Sequence, residues 1–560
     1  MLSAAIFLIY AFLVAWVSGI VCLHLFSKLL RTEFTVSHAL FLLVPGLCLD
    51  ALLLQILHLF LPMGWMVHLL ILMVLTALVL PVKAEWNKYL TQLKQDCFGS
   101  PLHVIFFMVV FCAAILNLAG RAGVGDIGDY HLQAIRWDEQ FPVVKGLGNL
   151  RRQLGNNSNW FLLHAYFGMG FFGLKSVYVL NALLLIVSTV YFIPRKNDPN
   201  FILKGVIFLY LILMAYRKYV GAVTNDYAIT ILTLITFTEW IQQPVSDWRK
   251  RAPLLLVFLT MVTFKLSAIT LLFIPVGWLL MQKLDVLRKG ITVLTLFCLL
   301  LFTPWLQTNV LKSGYLLYPV DQLDLFDVDW KMRAETLQYE RAINIANERV
   351  PGVDLETVKQ MPFTQWFVQW IKHLDLFSKF LLALFVVDAL FLMIALLIRR
   401  SRKRWKEIIR KEHSALLLIT IALAMPVWFM NAPATRFIFG YLVFYIAWMF
   451  QHRFTISRFN HLFQARWVMF GGMVLLIAGG IFFTKLYLPA DRFQRNLITL
   501  LPYGTNTMQR VPLPLGGYVM MPEGNAQCWD AEIPCTSILD PNLQWRTNRL
   551  EDGFKMKNEE

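Results

Sequence analysis

Long runs of apolar residues without charge constrain this 560-residue chain more than any other feature of its sequence. One of them, LHVIFFMVVFCAAILNLA, occupies residues 102–119. A helix of about 17 or more such residues, rising 1.5 Å per residue, spans a hydrocarbon layer of about 30 Å. In the whole chain 58% of the residues are hydrophobic and 15% are charged, whereas a soluble globular chain is about a quarter charged. The sequence therefore predicts an all-α polytopic membrane protein.

The apolar runs predict about 14 transmembrane helices. Residues 2–26 are interpreted as a retained span, because they lack the basic n-region and the small-residue cleavage site of a signal peptide. The predicted spans cover residues 2–26, 36–61, 65–82, 102–118, 177–194, 201–216, 226–241, 253–264, 267–281, 290–308, 378–398, 414–431, 437–451 and 466–485.

The charges between the spans predict the orientation of the chain. Lys and Arg concentrate in alternate connections, which contain residues 28–31, 83–94, 195–196, 249–251, 283–289, 399–413 and 453–466. Short loops rich in Lys and Arg stay in the cytoplasm, so we expect both termini outside. The same rule accounts for the net charge of +16, and nucleic acid is not expected as a partner.

This topology divides the chain into membrane helices and three larger outer segments. We expect membrane helices in 1–118, 177–308 and 378–485, a first large outer loop in 119–176, an outer subdomain in 309–377 and a small outer tail in 486–560.

The first outer loop contains several chemically active side chains within eleven residues. Asp126, Asp129, Tyr130, His131 and Arg136 follow a Gly-rich lead that lets the backbone turn tightly. The run that they begin is amphipathic. Its apolar positions are expected to face the membrane or core, and His131, Arg136 and Asp138 are expected to face water. Asp126 and Asp129 are alternatively helix N-caps or solvated loop residues.

Isolated polar residues on later spans reach the same side. Asp226 begins a span in VTNDYA, Lys265 separates two short apolar stretches in TFKLSA, and Arg436 lies in a short outer loop in APATRF. A cation within the membrane is costly, by about 2.5–3.5 kcal/mol at full depth, and is by default a candidate for function. Cations and carboxylates on one face suggest a site that holds a phosphate and transfers protons.

Two of the seven cysteines lie in the outer tail. Cys528 and Cys535 stand seven residues apart in QCWDAEIPCTS. In an oxidising compartment this spacing favours a disulfide that staples the tail, and the alternative is two free thiols.

These motifs together resemble those of the GT-C superfamily of polytopic membrane glycosyltransferases, among them the protein mannosyltransferase and aminoarabinose transferase-like families. DIGDYHLQAIRW, residues 126–137, is similar to the aspartate-led motif of the first large outer loop in that superfamily. VTNDYA resembles its Asn-Asp pair, TFKLSA its Thr-Lys element and APATRF its late Arg-Phe motif; LKSGYLLYP, residues 311–319, is similar to its Tyr-Pro segment. The tail matches no feature of the superfamily.

The resemblance implies transfer of a sugar from a polyprenyl-phosphate carrier to a hydroxyl of a glycan, lipid or protein acceptor, in a single inverting displacement. The enzyme would lie in the inner (cytoplasmic) membrane with its site on the outer face. Asp126 is then the general base, and Asp129 or His131 orients the base or the acceptor. The predicted substrate-binding residues are Tyr130, Arg136, Asp226, Lys265 and Arg436.

No cofactor is expected, and the two cations supply the counter-charge of the phosphate. A divalent metal ion on Asp126, Asp129, His131 and Asp226 is the less favoured alternative. A secondary transporter is the rival function, because short apolar stretches on both sides of Lys265 suggest a broken helix. An O-antigen polymerase or ligase is a third reading.

Overall fold

The computed structural model describes residues 1–120, 125–172, 176–195, 198–242, 247–453, 465–504, 506–513, 516–524 and 526–557. Most of them are helical. The α-helices are α1 (Leu2–Leu30), α2 (Leu43–His58), α3 (Trp65–Val79), α4 (Lys83–Phe98), α5 (Pro101–Gly120), α6 (Leu132–Gln140), α7 (Leu147–Leu150), α8 (Asn159–Phe167), α9 (Leu180–Tyr191), α10 (Phe201–Met214), α11 (Asn225–Gln242), α12 (Ala252–Phe264), α13 (Phe273–Leu280), α14 (Leu284–Ser313), α15 (Ala334–Arg349), α16 (Leu355–Gln360), α17 (Phe363–His373), α18 (Leu376–Leu397), α19 (Arg399–Lys411), α20 (Ala415–Asn431), α21 (Phe439–Arg453), α22 (Ala465–Tyr487) and α23 (Ala490–Arg495).

Shorter helical turns join several of these helices. A π-helical turn, Ile127–His131, leads into α6. The 3₁₀ turns are Ala39–Leu42, Leu80–Val82, Arg152–Gly155, Gly170–Phe172, Trp248–Arg251, Leu266–Leu272, Thr435–Phe437 and Leu550–Asp552.

Six helices of the described chain are long and apolar enough to cross a membrane. They are Leu2–Leu30, Ala39–His58, Pro101–Gly120, Leu287–Ser313, Leu376–Leu397 and Ala465–Tyr487. The pair α19 and α20, bent by 101°, adds a seventh if it forms one span. The protein is therefore a helical membrane protein, as the apolar runs predict.

The structure does not show the fourteen crossings that the apolar runs predict. Each predicted segment coincides with a helix, but several of those helices are short. For example, α9 has 12 residues, which extend about 18 Å at 1.5 Å per residue and fall short of a layer of about 30 Å. Apolar character thus locates the helices without setting their length.

The first two membrane helices pack against each other through glycines. A Cβ atom added to Gly19 would lie 1.9 Å from the Leu42 carbonyl oxygen, and one added to Gly46 would lie 1.7 Å from the Ala15 carbonyl oxygen. Small residues of this kind let helix backbones approach closely in a membrane.

We expect Gly46→Ala to destabilise the protein by about 1–3 kcal/mol, because the added methyl group meets main-chain atoms and forces α1 and α2 apart. Gly471→Ala, on α22, is the matched control: its Cβ meets no atom within 4 Å, and alanine favours a helix over glycine by up to about 1 kcal/mol. Apparent melting temperatures of the detergent-purified variants measure both effects. Equal melting temperatures would contradict the close packing.

Three segments that are distant in sequence form a polar layer at one end of the helices. This layer, the loop face, consists of the described residues in 125–172, 314–375 and 488–557. The Trp529 amide donates to the Gly128 carbonyl (2.9 Å), Asn149 donates to the Trp330 carbonyl (2.8 Å), and Arg546 pairs with Asp329 (3.0 Å). The Leu2 amide donates to the Leu497 carbonyl (3.0 Å), so α1 begins at the loop face.

The tail adds strands to an otherwise helical fold. Strands β1 (Met508–Pro512) and β2 (Tyr518–Pro522) pair antiparallel with Met508 opposite Pro522. Strands β3 (Leu543–Trp545) and β4 (Phe554–Met556) pair with Leu543 opposite Met556. Cys528 and Cys535 form a disulfide. The all-α expectation therefore describes the membrane helices and not the tail.

The prediction that His131 and Asp138 face water is wrong. Both residues are buried, and each is 4% exposed. Asp138 lies 3.5 Å from the Lys312 ammonium and 3.6 Å from His58 Nε2. The amphipathic pattern marks the apolar side of α6, but it does not show that α2 and α14 also cover the polar side.

Candidate functional site

The candidate site begins at an interruption between two helical segments. Helix α12 ends at Phe264, Lys265 is extended (φ −156°, ψ 127°), and a 3₁₀ turn follows from Leu266. Because the helix ends here, the Phe264 carbonyl can accept hydrogen bonds from other segments. It accepts hydrogen bonds from Ser158 Oγ (2.6 Å) and Asn225 Nδ2 (3.0 Å). Two neighbouring segments therefore hold the backbone from which the Lys265 side chain projects.

Asp226, at the beginning of α11, forms ion pairs with two basic side chains. Asp226 is only 8% exposed. Lys265 Nζ donates to one carboxylate oxygen, and Arg436 Nε lies 3.3 Å from the other. The carboxylate also stands in the first turn of a helix, where the helix dipole favours negative charge. The fold thus brings basic side chains from two other segments to one buried carboxylate.

Arg436 extends the arrangement to a second carboxylate. It lies in the 3₁₀ turn Thr435–Phe437, and its guanidinium pairs with Glu348 near the end of α15. Asp226, Lys265, Glu348 and Arg436 are called the charge cluster below. Its two carboxylates and two basic side chains have a net formal charge of zero.

An aromatic ring supports both cations of the charge cluster. The centroid of Phe437 lies 3.9 Å from Lys265 Nζ and 4.9 Å from the Arg436 guanidinium carbon. Cations are attracted to the face of an aromatic ring at such distances. Burial by itself would lower the pKa of Arg436, but Glu348, Asp226 and Asp126 outweigh burial and raise the pKa. Arg436 is therefore a permanent cation.

The turn that carries Asp126 lies within electrostatic range of the charge cluster. Asp126 is exposed and directly precedes the π-helical turn Ile127–His131. Its negative charge acts on the Arg436 guanidinium and on the His131 imidazole. That Asp126 serves one site with Lys265 and Arg436 remains a prediction.

His131 is a buried, neutral side chain beside this turn. Burial lowers its pKa to about 4, against the opposing effect of Asp126 and Asp226. Its ring packs on Tyr130 and Phe161, with centroids 4.4 and 4.8 Å away. Within the described chain its Nδ1 atom has no hydrogen-bond partner. A buried polar atom of this kind normally has a partner, so Nδ1 is an exception among the described residues.

Residues 1–443 match the model of a family described as a domain of unknown function, DUF8201. The chain belongs to this family. The DUF8201 match contains Asp126, His131 and the whole charge cluster, and it ends before α22 and the tail. No curated protein and no solved structure matches the chain.

Asp129 and Arg136 of this DUF8201 protein have partners outside the charge cluster. Asp129 pairs with Arg151 at 2.5 Å, and Arg136 pairs with Asp530 of the tail at 2.5 Å. Tyr130 is partly buried and packs against His131. The predicted site residues therefore form two groups: Asp226, Lys265 and Arg436 are in direct contact, whereas Asp129 and Arg136 fix the loop that carries Asp126.

Sequence reasoning missed Glu348 and Arg151. Glu348 lies on α15, a helix with many charges and no motif, and it meets Arg436 across 88 residues of sequence. Nothing in the sequence singles it out. Arg151 did give a signal, because it lies in the same predicted outer loop as Asp129, 22 residues away. A basic residue in that loop was a natural partner for one of the two aspartates.

Two of the three carboxylates in the metal-ion alternative, Asp129 and Asp226, form ion pairs with basic side chains of the protein. Asp226 contacts Lys265 and Arg436, and Asp129 contacts Arg151. Among the described residues of this DUF8201 protein, no group of three or more His, Cys, Asp or Glu side chains is placed to hold a metal ion.

Proposed function

We propose that this DUF8201 protein is an integral membrane glycosyltransferase of the inner membrane. It moves a sugar from a polyprenyl-phosphate donor to an acceptor hydroxyl on the outer face. The observation that most supports the proposal is the meeting of Lys265 and Arg436 at Asp226, within electrostatic range of Asp126 and His131. Fixed cations at the end of an apolar helix suit a phosphate whose lipid lies in the bilayer.

The charge cluster would stabilise the leaving group. As the bond between the sugar C1 and the phosphate oxygen breaks, its electron pair passes to that oxygen and negative charge grows on the phosphate. Preplaced cations stabilise this charge more in the transition state than in the bound donor, and so they accelerate the reaction. An ammonium group has three N–H donors, and the contact of Lys265 with Asp226 uses one of them.

Asp126 would act as the general base. Its carboxylate takes the proton of the acceptor hydroxyl while the hydroxyl oxygen forms its bond to C1 and the phosphate departs. Asp129 or His131, the latter neutral because burial lowers its pKa to about 4, would orient the base or the acceptor. One displacement of this kind inverts the sugar carbon, as the resemblance to GT-C enzymes implies.

The test uses the purified full-length protein in proteoliposomes with a panel of decaprenyl-phosphate-linked sugars and membrane-extract acceptors. Released decaprenyl phosphate is the product common to every sugar and acceptor, so its appearance is the readout. We expect release that depends on the protein and on the acceptor extract. If no sugar of the panel gives release above that of empty liposomes, the proposal is overturned.

We expect Lys265→Gln to lower kcat/KM for this release by about 100-fold, because one preorganised charge at the phosphate is lost. Asp226 keeps Arg436 as a partner at 3.3 Å, so the variant should fold. Lys359→Gln, in an exposed pair with Glu356 (2.8 Å) on the loop face, is the matched control and should leave the rate unchanged. A Lys265→Gln enzyme with wild-type kinetics would contradict the assigned role.

A secondary transporter is the second candidate. Two observations favour it: α12 is interrupted at Lys265, and Asp50 is a buried acid within α2, bonded to Ser18 Oγ at 2.6 Å. Broken helices and buried acids are features of transport sites. A transporter would accumulate labelled sugar phosphates in the vesicles without releasing decaprenyl phosphate, and it would tolerate Asp126→Asn.

A further inference from the structure

Helix α19 concentrates positive charge that the proposed function does not use. Of its 13 residues, eight are basic and one is acidic. The helix lies at the end of the molecule opposite the loop face. Asp375 of the loop face caps the start of α18, and the 22 residues of α18 extend about 33 Å before α19 begins.

The axis of α19 runs across that of the helix that follows it. Helices α19 and α20 are bent by 101° relative to each other, and α18 is long and apolar enough to cross a membrane. Close to its junction with α19, α18 exposes apolar side chains: Ile394 is 53% exposed and Leu397 is 76% exposed. Such side chains suit the hydrocarbon of a bilayer, so we place α19 along the membrane surface.

One side of α19 packs against the protein. Trp405 is only 4% exposed. Its ring centroid lies 5.7 Å from that of Trp448 on α21 and 6.4 Å from that of Phe391 on α18. Ile408 and Ile409, about one turn further along the helix, are half-buried against the same core. These contacts fix the rotation of α19 about its own axis and thus the side that it turns outward.

The side of α19 that is turned away from Trp405 carries a row of basic residues. Four of them follow one another at intervals of four, three and four residues and therefore share one face of the helix. They are Arg399, Lys403, Lys406 and Arg410, called the basic stripe below. All four are exposed. Among the described residues none of the four forms an ion pair, in contrast to Lys411, which pairs with Glu407 (2.8 Å).

We propose that the basic stripe binds the headgroups of anionic phospholipids, at the end of the helices opposite Asp126. Clusters of about four to eight Lys and Arg residues beside a membrane helix attract acidic lipids electrostatically. A nucleic acid offers the same negative charge, but the exposed apolar side chains of α18 beside the stripe favour a bilayer as its partner. The inference goes beyond the proposed function and does not depend on glycosyl transfer.

The test measures binding of tritiated phosphatidylglycerol to the full-length protein in neutral detergent micelles. Unlabelled phosphatidylglycerol, phosphatidylcholine and single-stranded DNA are the competitors. We expect Arg399→Gln/Lys403→Gln/Lys406→Gln/Arg410→Gln, the stripe variant, to bind phosphatidylglycerol at least tenfold more weakly, because the charges that attract the headgroup are lost. Wild-type affinity should fall as salt is raised from about 50 to about 500 mM, and the stripe variant should lose most of this dependence. Phosphatidylcholine and DNA should each compete poorly.

The matched control removes the same charge from the opposite end of the molecule. It replaces by glutamine four exposed basic residues of the loop face, namely Lys359, Arg495, Arg510 and Arg549. This variant should bind phosphatidylglycerol as the wild type does, because its basic stripe is intact.

Three results would overturn the inference. The first is unchanged affinity of the stripe variant. The second is an equal loss in the control variant, which would show attraction by net charge alone. The third is displacement of the lipid by DNA at an equal concentration of phosphate groups, which would show a surface for polyanions in general. If the stripe variant does not fold, Lys403→Glu/Lys406→Glu replaces it. It should also bind at least tenfold more weakly, and unchanged affinity would equally contradict the lipid site.

Discussion

Replacement of Asp126 by asparagine is expected to lower the rate of glycosyl transfer by about 100- to 10,000-fold, the contribution of a positioned general base. Asparagine keeps the size of the side chain but cannot take the proton of the acceptor hydroxyl. Because Asp126 is exposed, its replacement should leave the fold intact. The measurement is release of decaprenyl phosphate at saturating donor, with the melting temperature of the same preparation.

The control for this experiment is Asp327→Asn. Asp327 is also an exposed acid of the loop face, so its replacement changes the net charge equally without touching the site. We expect wild-type release from this variant. An Asp126→Asn protein that melts like the wild type and retains more than about a tenth of its rate would exclude Asp126 as the base.

The largest effect on stability is expected from Asp138→Asn. Asp138 and Lys312 each have side chains only 5% exposed, 3.5 Å apart, and His58 lies 3.6 Å from the same carboxylate oxygen. Removal of one partner leaves a buried ammonium group without its counter-charge, which costs about 3–5 kcal/mol. The free energy of unfolding in detergent, or a large drop in melting temperature, measures this loss.

A double substitution distinguishes the cost of an unpaired buried charge from a loss of packing. In Asp138→Leu/Lys312→Met no buried charge remains, and most of the lost stability should return. Asp491→Asn removes one partner of a pair whose side chains are 70% and 63% exposed, and it should cost less than about 1 kcal/mol. If the double variant is no more stable than Asp138→Asn, the loss comes from packing and not from charge.

The apolar helices could be predicted from the sequence, because each coincides with an apolar run of residues. The number of membrane crossings could not be predicted in this way. Whether an apolar helix spans the bilayer depends on how it packs against other helices. Helix α5 has 20 residues and can cross alone, whereas α9 has 12 residues that are all buried among neighbours. Both are mostly apolar, but they differ in length and in how far neighbouring helices cover them.

The candidate site was predictable where a polar residue interrupts apolar sequence. Lys265, Asp226 and Arg436 stand out for that reason, and they are in contact. Glu348 could not be found in this way, since it lies in a polar helix and meets its partner only after folding. Arg136 was drawn into the prediction by its nearness to Asp126 in sequence, but the direction of a side chain on α6 places it against Asp530.

The contact between Arg136 and Asp530 joins positions 394 residues apart. A ribosome adds about 5–20 residues per second, so synthesis of the intervening chain takes roughly 20–80 s. Throughout that interval Arg136 lacks the tail residue with which it pairs. The loop that carries Asp126 therefore acquires this ion pair only when translation is nearly finished.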